Sequence, residues 1–494
     1  MTLTVIQRFL RSPTPDEWSR FRAYAQRMTK LYAPQNDYVP SEDVLHLFNL
    51  DRSGQPLMPR LQLLNWTTGR VFLPWLHHLL SPSLTDVHLD LNGGRSYPVD
   101  IAVIKAVPTT HLKHIALSTL RTTTGVNAAL LDLVYESKRL KSIYIQQEAT
   151  MEENSPPHDE VKYEGEPIEL GGLTSITIGL KNDSTFLSNL FNRTTLPNIQ
   201  QIYVKHTGRA EWLGSDNMFD SMLQSASPRA LHALRYTSLY HGMDITSAKI
   251  QQLQRFSALR AVRVTSTCNA SRCKFFLSDN DISTLAFAMP NLTELYLGGT
   301  PCASTLVNVS MNGLAVLAAN CTKLGELQIH FDTAGFINKV LDGSTEHIPS
   351  PWLARDLCQL TQLNVGQTPL TKNTDGHWTI AMALLQIFPN LKCVKHYQPP
   401  FRVGDWGEVV RIIKAQRRIA SLMGGMSRES THVHFSDTKP VWFARVIAQG
   451  YLTFAGSHSW TTIPLRVLRA NKMTQSSVDR STRCVLAQGP RPGS

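Results

Sequence analysis

The chain has 494 residues, 42% apolar, 8% aromatic and 18% charged, which suits a chain that folds and excludes a disordered, collagen-like or small disulfide-dense protein. Its net charge is +11, but residues 401–494 hold 14 Lys/Arg against 5 Asp/Glu, so the first 400 residues are nearly neutral. Seven scattered cysteines, an N-terminus without a continuous apolar stretch and no window of 18 apolar residues predict reduced thiols, no signal peptide, no membrane span, and a cytoplasmic or nuclear location.

Residues 1–55 predict a helical N-terminal cap. Residues 15–32 read as one amphipathic helix with Trp18, Phe21, Tyr24 and Met28 on one face, and Ser41 caps a second helix whose first turn carries Glu42 and Asp43. Such a segment covers the exposed end of a repeat array.

Between residues 56 and 400 one element recurs: an aliphatic residue, two variable positions, a second aliphatic, one variable position and a third. Clear copies are Leu84/Val87/Leu89, Leu112/Ile115/Leu117, Leu140/Ile143/Ile145, Leu173/Ile176/Ile178 and Ile199/Ile202/Val204. Leu259/Val262/Val264, Leu292/Leu295/Leu297, Leu324/Leu327/Ile329 and Leu360/Leu363/Val365 follow. Weaker copies stand at Leu61/Leu64/Trp66, Leu231/Leu234/Tyr236 and Leu391/Val394/His396, making about twelve units with a mean step of about 30 residues. The triplet alone is weak, since on the order of ten matches arise by chance at this aliphatic content.

The phasing is the stronger signal. Helix-like segments fall inside nearly every interval, at 71–80, 126–138, 184–193, 216–226, 246–256, 279–289, 312–320 and 377–388. Pro59, Pro82, Pro197, Pro290 and Pro389 each stand two residues before the first aliphatic, where a missing N–H ends the preceding helix. Strand and helix therefore alternate, and neither buries its apolar face without its neighbours. The expected fold is α/β: an irregular leucine-rich-repeat solenoid, with a curved parallel sheet on the concave side and helices outside. The Asn that closes the signature appears cleanly only as Asn92; Thr267, Thr300, Asp332 and Thr368 replace it elsewhere.

One interval is enlarged. Residues 146–170 carry eight acids and one Lys around Pro156-Pro157, the composition of a solvated surface insertion. After residue 400 the repeat stops. Residues 401–422 predict a basic amphipathic terminal helix, preferred as a final lid over a membrane-surface helix, and 423–494 predict a poorly ordered basic tail.

Chemical motifs are missing: there is no Gly-x-Gly-x-x-Gly, Walker loop, His-Glu-x-x-His or Gly-x-Ser-x-Gly. Cys268 and Cys273 are spaced too loosely for a structural zinc pair, and His77, His78, His111 and His114 read as helix-end and strand-flank residues. The expectation is a non-enzyme with no cofactor, no metal and no catalytic residues.

Several phrases resemble the expanded F-box and leucine-rich-repeat families of basidiomycete fungi, over about residues 15–400. They are Asp16-Glu-Trp-Ser-Arg-Phe-Arg-Ala-Tyr-Ala-Gln-Arg-Met, Pro59-Arg-Leu-Gln-Leu-Leu-Asn-Trp, Leu79-Leu-Ser-Pro-Ser-Leu-Thr and Phe388-Pro-Asn-Leu. The resemblance implies a substrate-recognition component of a cullin-based ubiquitin ligase, docked through an N-terminal F-box. No F-box phrase is visible before Trp18, so docking on the ligase adaptor is expected only if an F-box stands upstream.

Strand alternation predicts the binding surface. If the third and fifth positions after the first aliphatic face the core, the second and fourth face the concave side. The fourth positions include His88, Tyr144, Tyr203, Arg235, Arg263, Tyr296 and Gln328, and Tyr and Arg are the types enriched in interfaces. The expected partner is a protein held on that face, with no membrane contact. Two other readings stay open: a nucleic-acid-binding protein using the basic C-terminal segment, which the near-neutral main body disfavours, and an α/β enzyme whose site no motif reveals.

Overall fold

A computed structural model describes residues 14–32, 56–66, 76, 78–91, 97–120, 123–147, 166–181, 185–207, 215–238, 245–266, 275–298, 309–341, 358–366, 368, 370, 374–396, 406–426, 444–447, 451–456 and 459–464. Outside these residues lie the expected helix after Ser41, residues 71–75, Asn92, Thr267, Thr300, Cys268, Cys273, His77, residues 148–165 of the acidic insertion, and most of the tail.

The chain divides into two compact units, Met1–Ala420 and Ser421–Ser494. In chain order the strands of the first unit are β1 (Lys30–Tyr32), β2 (Leu63–Trp66), β3 (Asp86–Asp90), β4 (His114–Leu120), β5 (Ser142–Gln147), β6 (Ile168–Glu169), β7 (Ser175–Leu180), β8 (Thr194–Thr195) and β9 (Gln201–His206). They continue with β10 (Ala233–Ser238), β11 (Ile245–Thr246), β12 (Ala261–Ser266), β13 (Phe275–Phe276), β14 (Glu294–Leu297), β15 (Glu326–Gln328), β16 (Gln362–Asn364) and β17 (Cys393–Lys395). Thirteen of these form one parallel sheet in the order β1-β2-β3-β4-β5-β7-β9-β10-β12-β14-β15-β16-β17, while β6 pairs with β8 and β11 with β13.

Every step in that order is between neighbouring repeats, and the register never slips at the second aliphatic. Leu31, Leu64, Val87, Ile115, Ile143, Ile176, Ile202, Leu234, Val262, Leu295, Leu327, Leu363 and Val394 stand opposite one another in one row across all thirteen strands. All are buried. Each such side chain contributes roughly 1.5–3 kcal/mol on leaving water. The third aliphatic makes a parallel buried row from Leu89 to Val365, with Tyr236 as its largest member.

A backbone device sets the step. The carbonyl one residue after the first aliphatic accepts two N–H groups from the next repeat, as Thr85 O does from Lys113 and His114 at 2.7 and 3.0 Å, and Lys113 O from Lys141 and Ser142 at 2.7 and 3.1 Å. The same pairing continues to Thr361 O, which accepts from Lys392 and Cys393. The prolines fall in the tight turn before each strand, where the first aliphatic N–H bonds three residues back, as in Leu292 to Met289 O and Leu391 to Phe388 O. The asparagine of Pro-Asn ties repeats together: Asn198 and Asn390 donate to Gly171 O and Cys358 O of the preceding repeat.

Helices cover the buried side of the sheet. They run Tyr97–Ala106, Thr124–Glu136, Thr185–Arg193, Ser215–Ser225, Ser247–Leu253, Asp279–Ala288, Met311–Asn320, Thr333–Leu341 and Thr374–Ile387. Tyr97–Ala106 and Thr333–Leu341 were not among the helices that the periodicity marks. A helix is about 10 Å across and strands are about 4.8 Å apart, so each repeat is wider on its helical side and the sheet is the concave face. The fold is therefore the irregular leucine-rich-repeat solenoid.

The ends differ from the sequence-based expectation. The first helix stops at Ala25 instead of running to residue 32, and Lys30–Tyr32 joins the sheet as β1, so residues 1–55 are not purely helical. The edge of β2 supplies the reason: Thr29 O accepts from Gln62 and Leu63 N–H, continuing the same two-fold acceptance. Trp18, Phe21 and Met28 pack against the core, while Tyr24 is 57% exposed and does not share their face. A capping box between Thr14 and Glu17 starts this helix.

At the other end the helix Trp406–Met426 places Trp406, Val409 and Ile413 in the core. Trp406 stands edge-on to Phe331, donates to Thr368 O at 2.7 Å, and is joined by Arg417 donating to Pro389 O. In the second unit Ala444–Ile447 (β18), Tyr451–Gly456 (β19) and Ser459–Pro464 (β20) form an antiparallel sheet, where an irregular tail was expected. Hydrogen-bonded hairpin pairing, which needs no repeat phase, accounts for it. Cys321 and Cys358 are buried free thiols, and burial, with a smaller contribution from Cys358, pushes the Cys321 thiol up to about 12.

Candidate protein-binding face

The side of the sheet away from the helices carries the alternate residues of each strand. Its central row runs Tyr32, Asn65, His88, Ala116, Tyr144, Thr177, Tyr203, Arg235, Arg263, Tyr296, Gln328, Asn364 and Lys395, each opposite the next. All seven residues expected at the binding surface lie in this single row. Tyr32 belongs to it too, and was missed because β1 carries no complete triplet.

The row is not uniform. His88 is exposed and Tyr144 is 42% exposed, while Tyr203, Arg235, Arg263 and Tyr296 are half-buried. Gln328 is only 6% exposed. Its amide donates to Gly298 O at 3.1 Å and its oxygen accepts from Asn364 at 2.8 Å. Gln328 is thus a structural tie between strands and not a free contact residue; β15 is three residues long, and its side chain replaces ladder bonds the short strands lack.

Two functional candidates come from the neighbouring row, two residues earlier on each strand. Glu294 on β14 accepts from Arg235 on β10 at 3.0 Å and pairs with the Arg263 guanidinium on β12. Arg263 also reaches Glu326 on β15 at 3.6 Å and lies over the Tyr296 ring, 4.1 Å from its centroid. Tyr296 closes the set by donating to Glu326 at 2.6 Å. The sequence signal for both carboxylates was the second position of the repeat, which alternation already assigned to the open face.

The electrostatics follow from partial burial. Desolvation works against the charged form of Arg263, but the Glu294 hydrogen bond and the two carboxylates outweigh it and raise its pKa. Burial, then the hydrogen bond to Glu326, holds the Tyr296 phenol well above its ordinary value. The cluster is therefore internally paired, with Tyr296 keeping its proton at neutral pH and the Arg edges and tyrosine rim left toward solvent. Near β4 and β5 the polar contacts are smaller: His114 Nδ1 meets Ser142 Oγ at 2.7 Å, and Arg139 donates to His111 at 3.2 Å, so both histidines are occupied in flank contacts.

Among the described residues no group of three His, Cys, Asp or Glu could hold a metal ion, and no helix is long and apolar enough to cross a membrane. No family model matches the chain, and no curated protein matches it. Among solved structures it is similar to one chain of the crystal structure of the Rad7 and Elc1 complex in yeast, at 11% identity and a TM-score of 0.28, covering 78% of this chain and 91% of that one. That overlap is too low to support an argument about this chain.

Proposed function

We propose that the chain is a non-catalytic protein-binding adaptor, and that a partner protein lies across the open face between β3 and β14. The observation that carries this reading is the central row itself. It is a continuous strip across a wide sheet, on the side opposite the helices of the first unit, with Tyr144 and Tyr203 at its middle and a pre-paired Arg/Glu/Tyr cluster beside them. Tyrosine and arginine supply large contact area at low entropic cost when already held in place.

The resemblance of residues 15–400 to fungal F-box and leucine-rich-repeat proteins supports a narrower version, in which the bound protein is a substrate delivered to a cullin-based ubiquitin ligase. Photo-crosslinking tests the general reading: a crosslinker at Tyr144 captures a protein partner, and one at Phe287, 69% exposed on a helix, does not. Equal capture at both positions removes the sheet face as the site. The narrower version requires the full-length gene product to retain the ligase adaptor in a pull-down, and loss of that retention leaves only the general one.

A further inference from the structure

A second surface runs along the end of the sheet where the strands begin. In each of the twelve repeats, three positions sit there: the two residues before the first aliphatic and the one after it. These 36 positions hold nine Lys or Arg and no Asp or Glu, and all nine cations are exposed. At the composition of residues 1–400, about three of each sign would stand there by chance. The densest stretch is Lys113, Lys138, Arg139 and Lys141, on two adjacent repeats, and Arg229 and Arg260 stand on the edge beyond two repeats that carry no cation there.

Nothing in the edge itself balances these charges. No ion pair among the described residues engages them. The carbonyls that could have done so, including those of Lys113, Lys141 and Arg260, each accept two N–H groups from the following repeat. Arg139 and Lys323 donate to the neutral side chains of His111 and Asn291 on the same edge, which leaves their charge, like that of the other seven, uncompensated there.

We propose that this edge binds an extended, acidic polypeptide segment of a partner protein. Repeats about 4.8 Å apart spread these cations along one edge, three of them on the repeat of Lys138, Arg139 and Lys141 and none on five of the twelve, so the edge offers one sign of charge along a line without a regular spacing. An extended segment rich in carboxylates complements that single sign and follows the line of the edge. Single-stranded nucleic acid fits less well, because it draws on base stacking and the 36 positions contain no Phe, Tyr or Trp. A duplex is bound by contacts to two backbones and a groove between them, where this edge offers one file. The surface is separate from the open sheet face, so it stands or falls independently of the adaptor reading.

The test uses the full chain and a short fluorescent peptide of alternating Glu and Ser, read by anisotropy. The intact protein binds it, and binding weakens as salt rises. Triple charge reversal, K113E with R139E and K141E, weakens it by about tenfold or more, with an unchanged thermal transition confirming the fold. Tyr144→Ala leaves peptide binding unchanged. Peptide binding that survives the triple reversal overturns the proposal and points to the basic C-terminal residues. Tighter binding of a single strand or duplex than of the peptide, lost in the same variant, overturns the choice of partner.

Discussion

The open face of the solenoid has two halves built from the same strand register and held in different ways. From β3 to β9 the central row reads His88, Ala116, Tyr144, Thr177 and Tyr203, and no ion pair among the described residues crosses it. From β10 to β15 the same row reads Arg235, Arg263, Tyr296 and Gln328, and Glu294 and Glu326 bind its first three members together while Gln328 bonds to Gly298 and Asn364. A position in the repeat therefore fixes where a side chain points but not what it does. In one half it is a free contact group, and in the other it is a strut whose ordering entropy is spent before any partner arrives.

Both halves rest on the same buried row, which sets the largest expected effect. Ile143→Ala under the first half and Leu234→Ala under the second, both fully buried, should each cost about 2–5 kcal/mol in urea denaturation. Comparable losses would place the difference between the halves on the outer side alone. A much smaller loss on one side would show that the halves differ in their core as well.

Next comes the cluster. Glu294→Gln leaves Arg235 and Arg263 without their shared carboxylate and should cost about 1–2 kcal/mol, reduced by added salt. Glu326→Gln should cost less, because its side chain is 38% exposed against 14% for Glu294. If both cost nothing, the second half is not pre-paired in solution and the contrast disappears.

Tyr296→Phe removes one hydrogen bond to Glu326, worth about 0.5–1.5 kcal/mol. It also changes the alkaline limb. The Tyr296 phenol holds its proton more tightly folded than unfolded, first through burial and then through Glu326. Its contribution is thus complete below the unfolded value of about 10 and is lost as the pH climbs past it. Stability measured upward from that pH should fall less steeply in Tyr296→Phe than in the intact chain.

The architecture was legible because it depends on residues whose role is set by spacing. The second aliphatic of every expected unit lies in one buried row, and Pro-Asn followed by Ile or Leu marked real turns with Asn198 and Asn390 as ties. β1 was not legible: Lys30-Leu31-Tyr32 has one buried residue, and only the unpaired edge of β2 makes it a strand. The orientation of the central row could be read from alternation, but the burial of Gln328 could not, since it follows from short strands and from Asn364 on the next repeat. Likewise Glu294 and Arg263 lie 31 residues apart, so their pairing requires knowing that the register between β12 and β14 does not slip.

The smallest effect on stability carries the most functional weight. Tyr144 is 42% exposed and its neighbours in the row are Ala116 and Thr177, so Tyr144→Ala removes little buried area and should change stability by no more than about 0.5 kcal/mol. A tyrosine flanked only by small side chains at the middle of an open sheet face has most of its energy left for a partner, and a central interface tyrosine is worth about 2 kcal/mol or more. A partner captured through the open face should therefore bind Tyr144→Ala more weakly by about thirtyfold, while Arg235→Ala, on the paired half, should lose both stability and affinity. Undiminished binding by Tyr144→Ala would move the contact surface to the cluster, and the first half would be only the solvated back of a core.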